Sequence, residues 1–251
     1  MERDGVEIVT GFSAKGYAQY GWRLVNSFLD FRNDHRLVTY CEGMQQAFPP
    51  QIVKRDQDDI PEQRKFLVRY FNRLDAQGLK DPGNRWKQKE IAAGYSFRFD
   101  AYKFCRMVFI MNDAIQRCAS EYMIWLDGDS VIRKPLPNNI ASKALPHGYD
   151  YAYLGRTNKY SETGFLVFRT ETAKPLLQDW ADYYALDAFL EESEWHSAYL
   201  FDRARALHPR LNGYNLTPEG KGHPIHQCWV GSIIDHCKGN RKFKGRSPEA
   251  R

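Results

Sequence analysis

Residues 122–130 read YMIWLDGDS, a run of apolar and aromatic side chains that ends in two carboxylates one residue apart. A short run of this kind is typical of a buried strand. In an extended chain, residues i and i+2 point to the same side, so Asp127 and Asp129 converge where the strand ends. Two carboxylates at one point repel each other unless a cation lies between them, and Mg²⁺ and Mn²⁺ favour such oxygen ligands. The stretch therefore predicts a metal–diphosphate site, although Asp-Gly-Asp is also common in ordinary turns.

Alternating strands and helices around this stretch predict an α/β fold. The N-terminal part reads as a strand over 6–10, a Gly/Ser turn over 11–16, a helix over 17–31 and a second strand over 37–41. Strand, helix and strand at this spacing favour a βαβ unit in a mostly parallel sheet flanked by helices. Ligands bind such sheets at the carboxyl ends of the strands. Those ends carry Thr10, Gly11, Phe12, Ser13, Cys41, Glu42, Asp127 and Asp129.

The rest of the chain continues this pattern, and we interpret residues 1–251 as one domain because no internal repeat or linker divides them. Residues 54–94 are polar and charged, and we interpret them as an exposed basic insertion that contains one helix. Residues 238–251 read as a basic C-terminal tail. Further strands are predicted over 151–154 and 165–168, and further helices over 62–74, 97–118, 172–190 and 195–207.

The composition favours a globular protein without a membrane anchor. Apolar residues make up 43% of the chain and charged residues 27%, with a net charge of +5. These values are typical of a packed core and are compatible with a phosphorylated or polyanionic ligand. No apolar run approaches the roughly 18 residues of a transmembrane helix. The charged start over 1–5 is unlike a secretory signal peptide, and five cysteines without CxxC spacing favour reduced thiols. We therefore expect a cytoplasmic protein.

Three segments of the chain together resemble the GT-A-fold glycosyltransferases, which use nucleotide sugars. The first is the strand that ends in residues 127–129 (DGD), similar to the DxD motif of that class. The second, residues 162–168 (ETGFLVF), is similar to the segment that enters the sugar and acceptor pocket. The third, residues 236–242 (HCKGNRK), resembles the HxxGxxK motif of glycosyltransferase family 8, although residues 243–244 are Phe-Lys where that family has Pro-Trp. The resemblance implies a GT-A-like, Rossmann-type fold.

The resemblance also implies a metal site that binds the diphosphate of the donor. Asp127, Asp129 and His236 would hold Mn²⁺, or Mg²⁺, and a nitrogen ligand suits Mn²⁺ better. Gly239 would let the backbone approach a phosphate because it has no Cβ. Lys242 would add positive charge at the same oxygens. The alternative for the C-terminal motif is a solvated basic tail.

Other residues are implied as contacts of the nucleotide sugar. Tyr17 or Tyr20 would stack on the base, and ordinary helix packing is the alternative for both. Arg98, Asp100 and Lys103 precede the DxD strand and would contact sugar hydroxyls or phosphates, or else form pairs on a solvated helix face. The nucleotide-sugar contacts we predict are Thr10, Gly11, Phe12, Tyr17, Glu42, Arg98, Asp100, Lys103, Gly239 and Lys242.

The catalytic group stays open among three carboxylates. An inverting enzyme needs a general base at the acceptor hydroxyl, and Glu162, Glu194 and Asp202 are the candidates. An acidic residue at the start of a helix, where the dipole favours it, is the alternative for Glu194. A retaining enzyme, which the family 8 resemblance implies, needs no such base, so the stereochemistry is undecided.

The function predicted from these features is transfer of a hexose from a nucleoside-diphosphate sugar, with UDP the favoured nucleotide, to a hydroxyl acceptor. The chain also resembles small viral and bacterial glycosyltransferases that modify DNA bases, so a hydroxymethylated base in DNA is one acceptor class. A DNA acceptor needs cationic phosphate contacts. Residues available for these contacts are Arg64, Lys65, Arg69, Arg73, Arg85, Lys87 and Lys89.

Several alternatives remain from the sequence. A saccharide, a lipid-linked group or a protein is the alternative acceptor. Another metal-dependent diphosphate enzyme, such as a nucleotidyltransferase, would also use paired carboxylates, although the Gly-rich segment over 11–16 has Lys15 as its sole cation. A non-catalytic nucleic-acid-binding module would fit the positive charge, but no zinc-finger, RNP or helix-turn-helix signature supports it.

Overall fold

A computed structural model describes residues 5–31, 35–220 and 222–249 of the chain. The charged start over 1–4 and Arg251 of the predicted basic tail lie outside the described residues. The strands are β1 (Val6–Ser13), β2 (Arg36–Glu42), β3 (Ile52–Asp56), β4 (Tyr122–Leu126), β5 (Ser130–Ile132), β6 (Tyr151–Leu154), β7 (Glu162–Arg169), β8 (Gly213–Asn215) and β9 (Ile234–His236).

Seven of these strands form one sheet of order β3-β2-β1-β4-β7-β6-β8. Strands β3, β2, β1 and β4 run parallel to one another. Strand β7 is antiparallel to both β4 and β6, while β8 is parallel to β6. Strands β5 and β9 form a separate antiparallel pair. The prediction of an α/β fold with a mostly parallel sheet is confirmed.

Helices cover both faces of the larger sheet. One face packs against α3, α5, α7 and α8, and the other against α2 and α6. Within the described part of the chain, no helix is long and apolar enough to cross a membrane. The helices are α1 (Ala14–Gly16), which runs through a π turn over Tyr17–Gly21 into α2 (Trp22–Asp30), then α3 (Pro61–Tyr70), α4 (Gln88–Ala93), α5 (Ala101–Arg117), α6 (Ile140–Ala144), α7 (Thr170–Ala185), α8 (Ser197–Ala206) and α9 (Arg241–Lys244).

Strand β4 is buried on both faces, which explains its uninterrupted apolar sequence. Met123 and Trp125 belong to the core formed with α5 and α7. Ile124 and Leu126 belong to the opposite core, formed with α2 and α6. Alternate residues of an extended strand point to opposite faces, so both cores are filled from one strand. The chain leaves the sheet directly after this strand, where the first aspartate stands.

Strand β1 is longer than the sequence predicted. It pairs in parallel with β2 as far as Ser13, so residues 11–13 continue the strand and the predicted turn there is wrong. The helical structure begins at once, because Ser13 Oγ accepts a hydrogen bond from the Gly16 N–H at 3.1 Å. The helix predicted over 17–31 therefore starts at Ala14.

The polar segment 54–94 is only partly exposed. Its first residues belong to β3, which adds a parallel edge strand to β2. Phe66 and Tyr70 of α3 are buried, and their rings stack with centroids 4.6 Å apart. Glu90 of α4 is also buried, where it accepts a hydrogen bond from Ser96. The interpretation as an exposed insertion does not hold for these residues, because α3 turns Phe66 and Tyr70 toward the core, although Val68 stays 74% exposed.

The C-terminal segment is folded onto the domain up to residue 249, and in this the structure departs from the predicted tail. Ser247 is buried, and its N–H donates to Asp235 at 2.8 Å. Arg133 also bonds to Asp235, at 3.1 Å. Arg23 of α2 donates to the carbonyl of Lys242 at 2.6 Å. These contacts fix the path of the chain on both sides of α9.

Glu7 generates a prediction about stability. This carboxylate is buried in β1, and its nearest cations, Arg36 and Arg55, lie 3.9 and 4.0 Å away. Burial raises the pKa of Glu7 against the opposing effect of both arginines. A raised folded-state pKa stabilises the protein at low pH, and this stabilisation is lost as the pH rises through that value. Glu7→Gln should therefore unfold at higher urea concentration than the wild type at pH 7.

The control for this prediction is the pH dependence itself. The advantage of Glu7→Gln should shrink as the pH falls toward about 4.3, the ordinary pKa of an unfolded glutamate. Urea titrations of both proteins between pH 4 and 7.5 measure the difference. A difference that is constant across this range would contradict the assignment to Glu7 ionisation.

Candidate metal centre

Three chain segments bring two carboxylates and an imidazole together. Asp127 follows β4, Asp129 precedes β5, and His236 ends β9, which pairs with β5. Backbone hydrogen bonds fix the turn between the aspartates on both sides. The Asp127 N–H donates to the carbonyl of Gly164 at 3.0 Å, and the Cys237 N–H donates to the carbonyl of Asp129 at 3.0 Å. Pairing of β9 with β5 therefore places the imidazole of His236 near the end of β4.

The side chains of Asp127, Asp129 and His236 point to a common centre. His236 Nε2 lies 3.3 Å from Asp127 Oδ2 and 3.1 Å from Asp129 Oδ1. One ligand atom from each residue lies within 4.8 Å of the other two. The imidazole is buried, whereas the Asp127 side chain is 31% exposed and leaves access from solvent. Two carboxylate oxygens and one nitrogen suit Mn²⁺, and Mg²⁺ less well because of the nitrogen. The residues predicted as metal ligands thus fit such an ion.

Opposite charges control the protonation of this cluster. Burial lowers the pKa of His236, but Asp129, Asp127 and Glu162 outweigh burial and hold it well above the ordinary value. Burial raises the pKa of Asp129, but His236 and Lys242 outweigh this effect and lower it. A protonated imidazole therefore balances the two carboxylates. A cation that binds Nε2 must displace that proton, because an imidazole ligates metals in its neutral form.

Gly164 leaves the space that the imidazole fills. A Cβ at this position would overlap Nδ1 and Cε1 of the His236 ring. Gly164 also supplies the carbonyl that accepts the Asp127 N–H. Within the segment over 162–168, Gly164 therefore has two effects. Its carbonyl holds the turn between the aspartates, and its missing Cβ leaves space for the His236 ring.

The C-terminal motif supplies an ammonium group as well as the imidazole. Lys242 Nζ lies 3.6 Å from Asp129 Oδ2 and 4.9 Å from the centroid of the Tyr20 ring. Gly239, between His236 and Lys242, has a φ of +67°, a conformation that glycine adopts without strain. Burial raises the pKa of Tyr20, and Asp129 and Asp127 raise it further. Of the two tyrosines considered for base stacking, Tyr20 is the one beside Asp127, Asp129 and Lys242.

A polar cavity of about 410 Å³ adjoins the cluster. Glu162 lies between the cavity and the cluster. Its Oε1 lies 3.9 Å from Nδ1 of His236 in the cluster, and its Oε2 lies 2.9 Å from Nζ of Lys238 in the cavity wall. Burial raises the pKa of Glu162, but Lys238 and His236 outweigh burial and lower it to about 2. The buried carboxylate is therefore ionised at neutral pH. The cavity is lined by Arg156, Glu162, Gly222, His223, Lys238, Arg241 and Glu249.

The other two candidate bases hold parts of the fold together. Glu194 accepts a hydrogen bond from Arg98 Nε at 3.0 Å and another from His196 Nε2 at 2.9 Å. Asp202 accepts from the N–H and the hydroxyl of Ser161 at 2.9 and 2.7 Å. Both carboxylates are thus engaged within the protein, so the structure does not support either as a general base.

The predicted nucleotide contacts at the end of β1 are largely buried. Thr10 is 0% exposed and Phe12 is 3% exposed. Phe12 packs against Tyr17 with ring centroids 5.3 Å apart, and Gly11 faces the side chain of Ile110. Because β1 continues beyond these residues, they occupy the interior of the strand. Direct contact between the side chains of Thr10 or Phe12 and a nucleotide is therefore not supported.

The remaining predicted contacts form ion pairs and a helix cap. Glu42 pairs with Arg106 at 3.0 Å. Asp100 caps α5 by accepting the Lys103 N–H at 3.0 Å, and Arg98 is held by the ion pair with the glutamate described above. These residues therefore fit the alternative prediction, in which they form ion pairs and caps within the protein, better than the prediction that they contact a nucleotide sugar.

Sequence reasoning missed three residues around the cluster. The indole N–H of Trp125 donates to Asp127 Oδ1 at 2.9 Å, and the i, i+2 spacing was the signal for this contact. Lys238 occupies an unspecified position of the C-terminal motif and pairs with the neighbouring glutamate. The His223 ring lies 5.3 Å from the His236 ring, and its Nε2 donates to the His236 carbonyl at 2.6 Å. No local pattern in the sequence pointed to His223.

Comparisons with known proteins found solved structures that match this one but no relative in sequence. No protein-family model matches the chain, and no curated protein matches its sequence. A solved structure similar to this one is that of mouse xyloside xylosyltransferase 1 in its apo form. The two superpose with a TM-score of 0.49 at 10% sequence identity, over 84% of this chain and 85% of that chain.

The space around the imidazole can be tested with Gly164→Ala. We expect a loss of about 1–3 kcal/mol in the free energy of unfolding, typical of overpacking in a dense interior. Mn²⁺ binding should also weaken, because the added methyl group displaces the His236 ring. Urea denaturation and isothermal titration calorimetry measure the two effects.

Gly5→Ala is the matched control. A Cβ at Gly5 would meet its nearest neighbour at 3.5 Å, an ordinary contact. Its stability and Mn²⁺ affinity should equal those of the wild type. Equal Mn²⁺ affinity in both alanine variants would show that the ring position does not matter for metal binding.

Proposed function

We propose that this protein is a metal-dependent glycosyltransferase that moves a sugar from a nucleoside-diphosphate sugar to a hydroxyl acceptor. The observation that carries the proposal is the convergence of Asp127, Asp129, His236 and Lys242 at the carboxyl end of β4. These residues belong to the two motifs that resemble DxD and HxxGxxK, which lie far apart in the sequence. Their meeting at one point is what a shared metal–diphosphate site requires.

The three clustered ligands would hold Mn²⁺, or Mg²⁺, at this point. When bound, the ion supplies Lewis-acid assistance to the departure of the nucleoside diphosphate. The partly exposed carboxylates leave access for phosphate oxygens, which complete the coordination of such ions. The donor is proposed to be a UDP-sugar carrying a hexose, on the resemblance to the family.

Lys242 would stabilise the leaving diphosphate. Its ammonium group lies 3.6 Å from Asp129 Oδ2, longer than a hydrogen bond, and its side chain is 29% exposed. A cation bound at the aspartates would offset the charge that attracts this lysine. The ammonium group would then be free to contact phosphate oxygens, where charge develops as the sugar departs.

Glu162 would orient hydroxyl groups in the polar cavity. Its Oε1 accepts the Gly164 N–H at 3.1 Å and its Oε2 pairs with Lys238, so the carboxylate is held in place. An ionised carboxylate accepts hydrogen bonds from hydroxyl groups. The residue is proposed to position the donor sugar or the acceptor next to the metal site.

The acceptor is proposed to be polar, because the side chains that line the cavity are charged or polar. A hydroxymethylated base in DNA remains one proposed class beside saccharides and proteins. Among the cations considered for DNA contact, Arg69 pairs with Asp187 at 3.0 Å and Arg73 pairs with Asp75 at 2.7 Å. A screen with the donor fixed should therefore compare hydroxymethylated DNA with unmodified DNA and with saccharide acceptors.

The metal site is tested by Asp127→Ala and Asp129→Ala. For the wild type, we expect a rise in melting temperature that needs both Mn²⁺ and a nucleoside diphosphate. A ligand at a hundred times its Kd adds about 2.7 kcal/mol, or roughly 5–10 °C for a domain of this size. Both alanine variants should lose this rise and the Mn²⁺-dependent turnover of the nucleotide sugar, while their circular dichroism stays native.

Glu171→Ala is the control for loss of a carboxylate. Glu171 is 80% exposed and pairs only with Lys174 at 2.7 Å among the described residues. This variant should behave as the wild type in both assays. A Mn²⁺-dependent shift that survives in both aspartate variants would place the metal elsewhere.

The role of Lys242 is tested with Lys242→Ala against Lys244→Ala, a neighbouring exposed cation in α9. A hydrogen bond to a charged group contributes about 1.5–3 kcal/mol, so Lys242→Ala should bind the nucleoside diphosphate roughly ten- to a hundredfold more weakly in saturating Mn²⁺. Its affinity for Mn²⁺ alone should not fall. If calorimetry finds that both lysine variants lose the same affinity for the nucleoside diphosphate, Lys242 acts only as part of a basic surface.

A further inference from the structure

The geometry points to Trp125 as a positioning residue that sets how Asp127 binds the metal. This inference rests on the metal site of the proposed function. The indole N–H donates to Asp127 Oδ1 at 2.9 Å, while Asp127 Oδ2 lies 3.3 Å from His236 Nε2. One oxygen of the carboxylate is thus tied to the protein, and the other faces the shared centre. Trp125 makes Asp127 a ligand that offers the ion one oxygen.

The indole itself is held rigidly. Trp125 is 3% exposed and lies in β4, paired with Val9 of β1 on one side and with Leu166 of β7 on the other. Its ring packs in the core formed with α5 and α7. A donor fixed in this way orients the carboxylate before any ion arrives. Groups that orient metal ligands through hydrogen bonds typically change metal affinity by about 10- to 100-fold when removed.

The two aspartates are anchored by chemically different groups. Asp129 Oδ2 faces the ammonium group of Lys242 at 3.6 Å, whereas Asp127 Oδ1 accepts from an uncharged N–H. A cationic anchor competes electrostatically with a bound metal ion. A neutral donor leaves the full negative charge of Asp127 available. Trp125 therefore stays in place when the ion binds, while Lys242 becomes available to the diphosphate.

The competing explanation is that the large ring of Trp125 serves only to fill the core. Trp180 of α7 provides the matched control for this explanation. Trp180 is 0% exposed, and its indole N–H has no hydrogen-bond partner among the described residues. Trp125→Phe removes ring volume and the hydrogen bond, whereas Trp180→Phe removes ring volume alone. The comparison separates the effect of the hydrogen bond on the metal site from loss of packing.

The experiment measures the affinity for Mn²⁺ alone, without nucleotide, for the wild type, Trp125→Phe, Trp180→Phe and Asp127→Ala. Electron paramagnetic resonance of free Mn²⁺ provides the readout, at a temperature where circular dichroism shows all four proteins folded. We expect Trp125→Phe to bind at least tenfold more weakly than the wild type and Trp180→Phe to bind within twofold of it.

The outcomes separate this inference from the metal site on which it rests. Equal affinities for the two phenylalanine variants would overturn the role of Trp125 and leave the metal site standing. Equal Mn²⁺ binding by the wild type and Asp127→Ala would overturn the metal site itself. Either result identifies which of the two ideas is wrong.

A measurement on the wild type covers the case in which Trp125→Phe fails to fold. The chain has six tryptophans, so its ¹H–¹⁵N spectrum has six indole N–H signals to follow. Substoichiometric Mn²⁺ should broaden the Trp125 indole signal first, because that N–H bonds to a metal ligand. In diamagnetic Mg²⁺ the same signal should persist with slow solvent exchange. Rapid exchange of that signal would overturn the inference.

Discussion

The repulsion between Asp127 and Asp129 is the constraint on which the arrangement of this protein depends. Their ligand oxygens lie within 4.8 Å of each other, where two like charges at an effective dielectric constant of about 20 repel by roughly 3 kcal/mol or more. His236 and Lys242 oppose this repulsion from the C-terminal segment. The distant C-terminal segment thus offsets part of the repulsion within a carboxylate pair at the end of a buried strand.

The contacts of the C-terminal segment follow from this requirement. Strand β9 pairs with β5, the strand that begins directly after the second aspartate. Arg23 fixes the backbone of α9, and Ser247 fixes the chain beyond it through the buried carboxylate of Asp235. Basic residues that a linear sequence presents as a solvated tail thus form part of the electrostatic balance of the site. The same balance holds the pKa of His236 well above its ordinary value, and in the proposed metal site the neutral ring would serve as a ligand.

The sequence predicted the parts of this arrangement that depend on local patterns. The apolar run before Asp127 identified β4. The spacing of the two aspartates predicted that their side chains converge, although a turn over residues 127–130, and not an extended chain, brings them together. The position of His236 followed only from resemblance, because nothing local shows that β9 pairs with β5. The end of β1 was placed too early because glycine and serine near Ser13 read as a turn, whereas pairing with β2 decides where that strand ends. Long-range pairing of this kind leaves no periodic signal in one sequence.

Three carboxylates predicted for the site differ from Asp127 and Asp129 in the kind of partner that each of them has. Glu194, Asp202 and Glu42 are satisfied by guanidinium groups, by an imidazole or by backbone and hydroxyl donors of the fold. The proposed function provides no ligand that would replace those partners. Asp127 and Asp129 have two partners of another kind, because a proton on His236 and the ammonium group of Lys242 could both yield to a metal ion and a diphosphate. We propose this end of the sheet as the site because its acidic residues have counter-charges that a ligand could replace, and not because they are acidic as such.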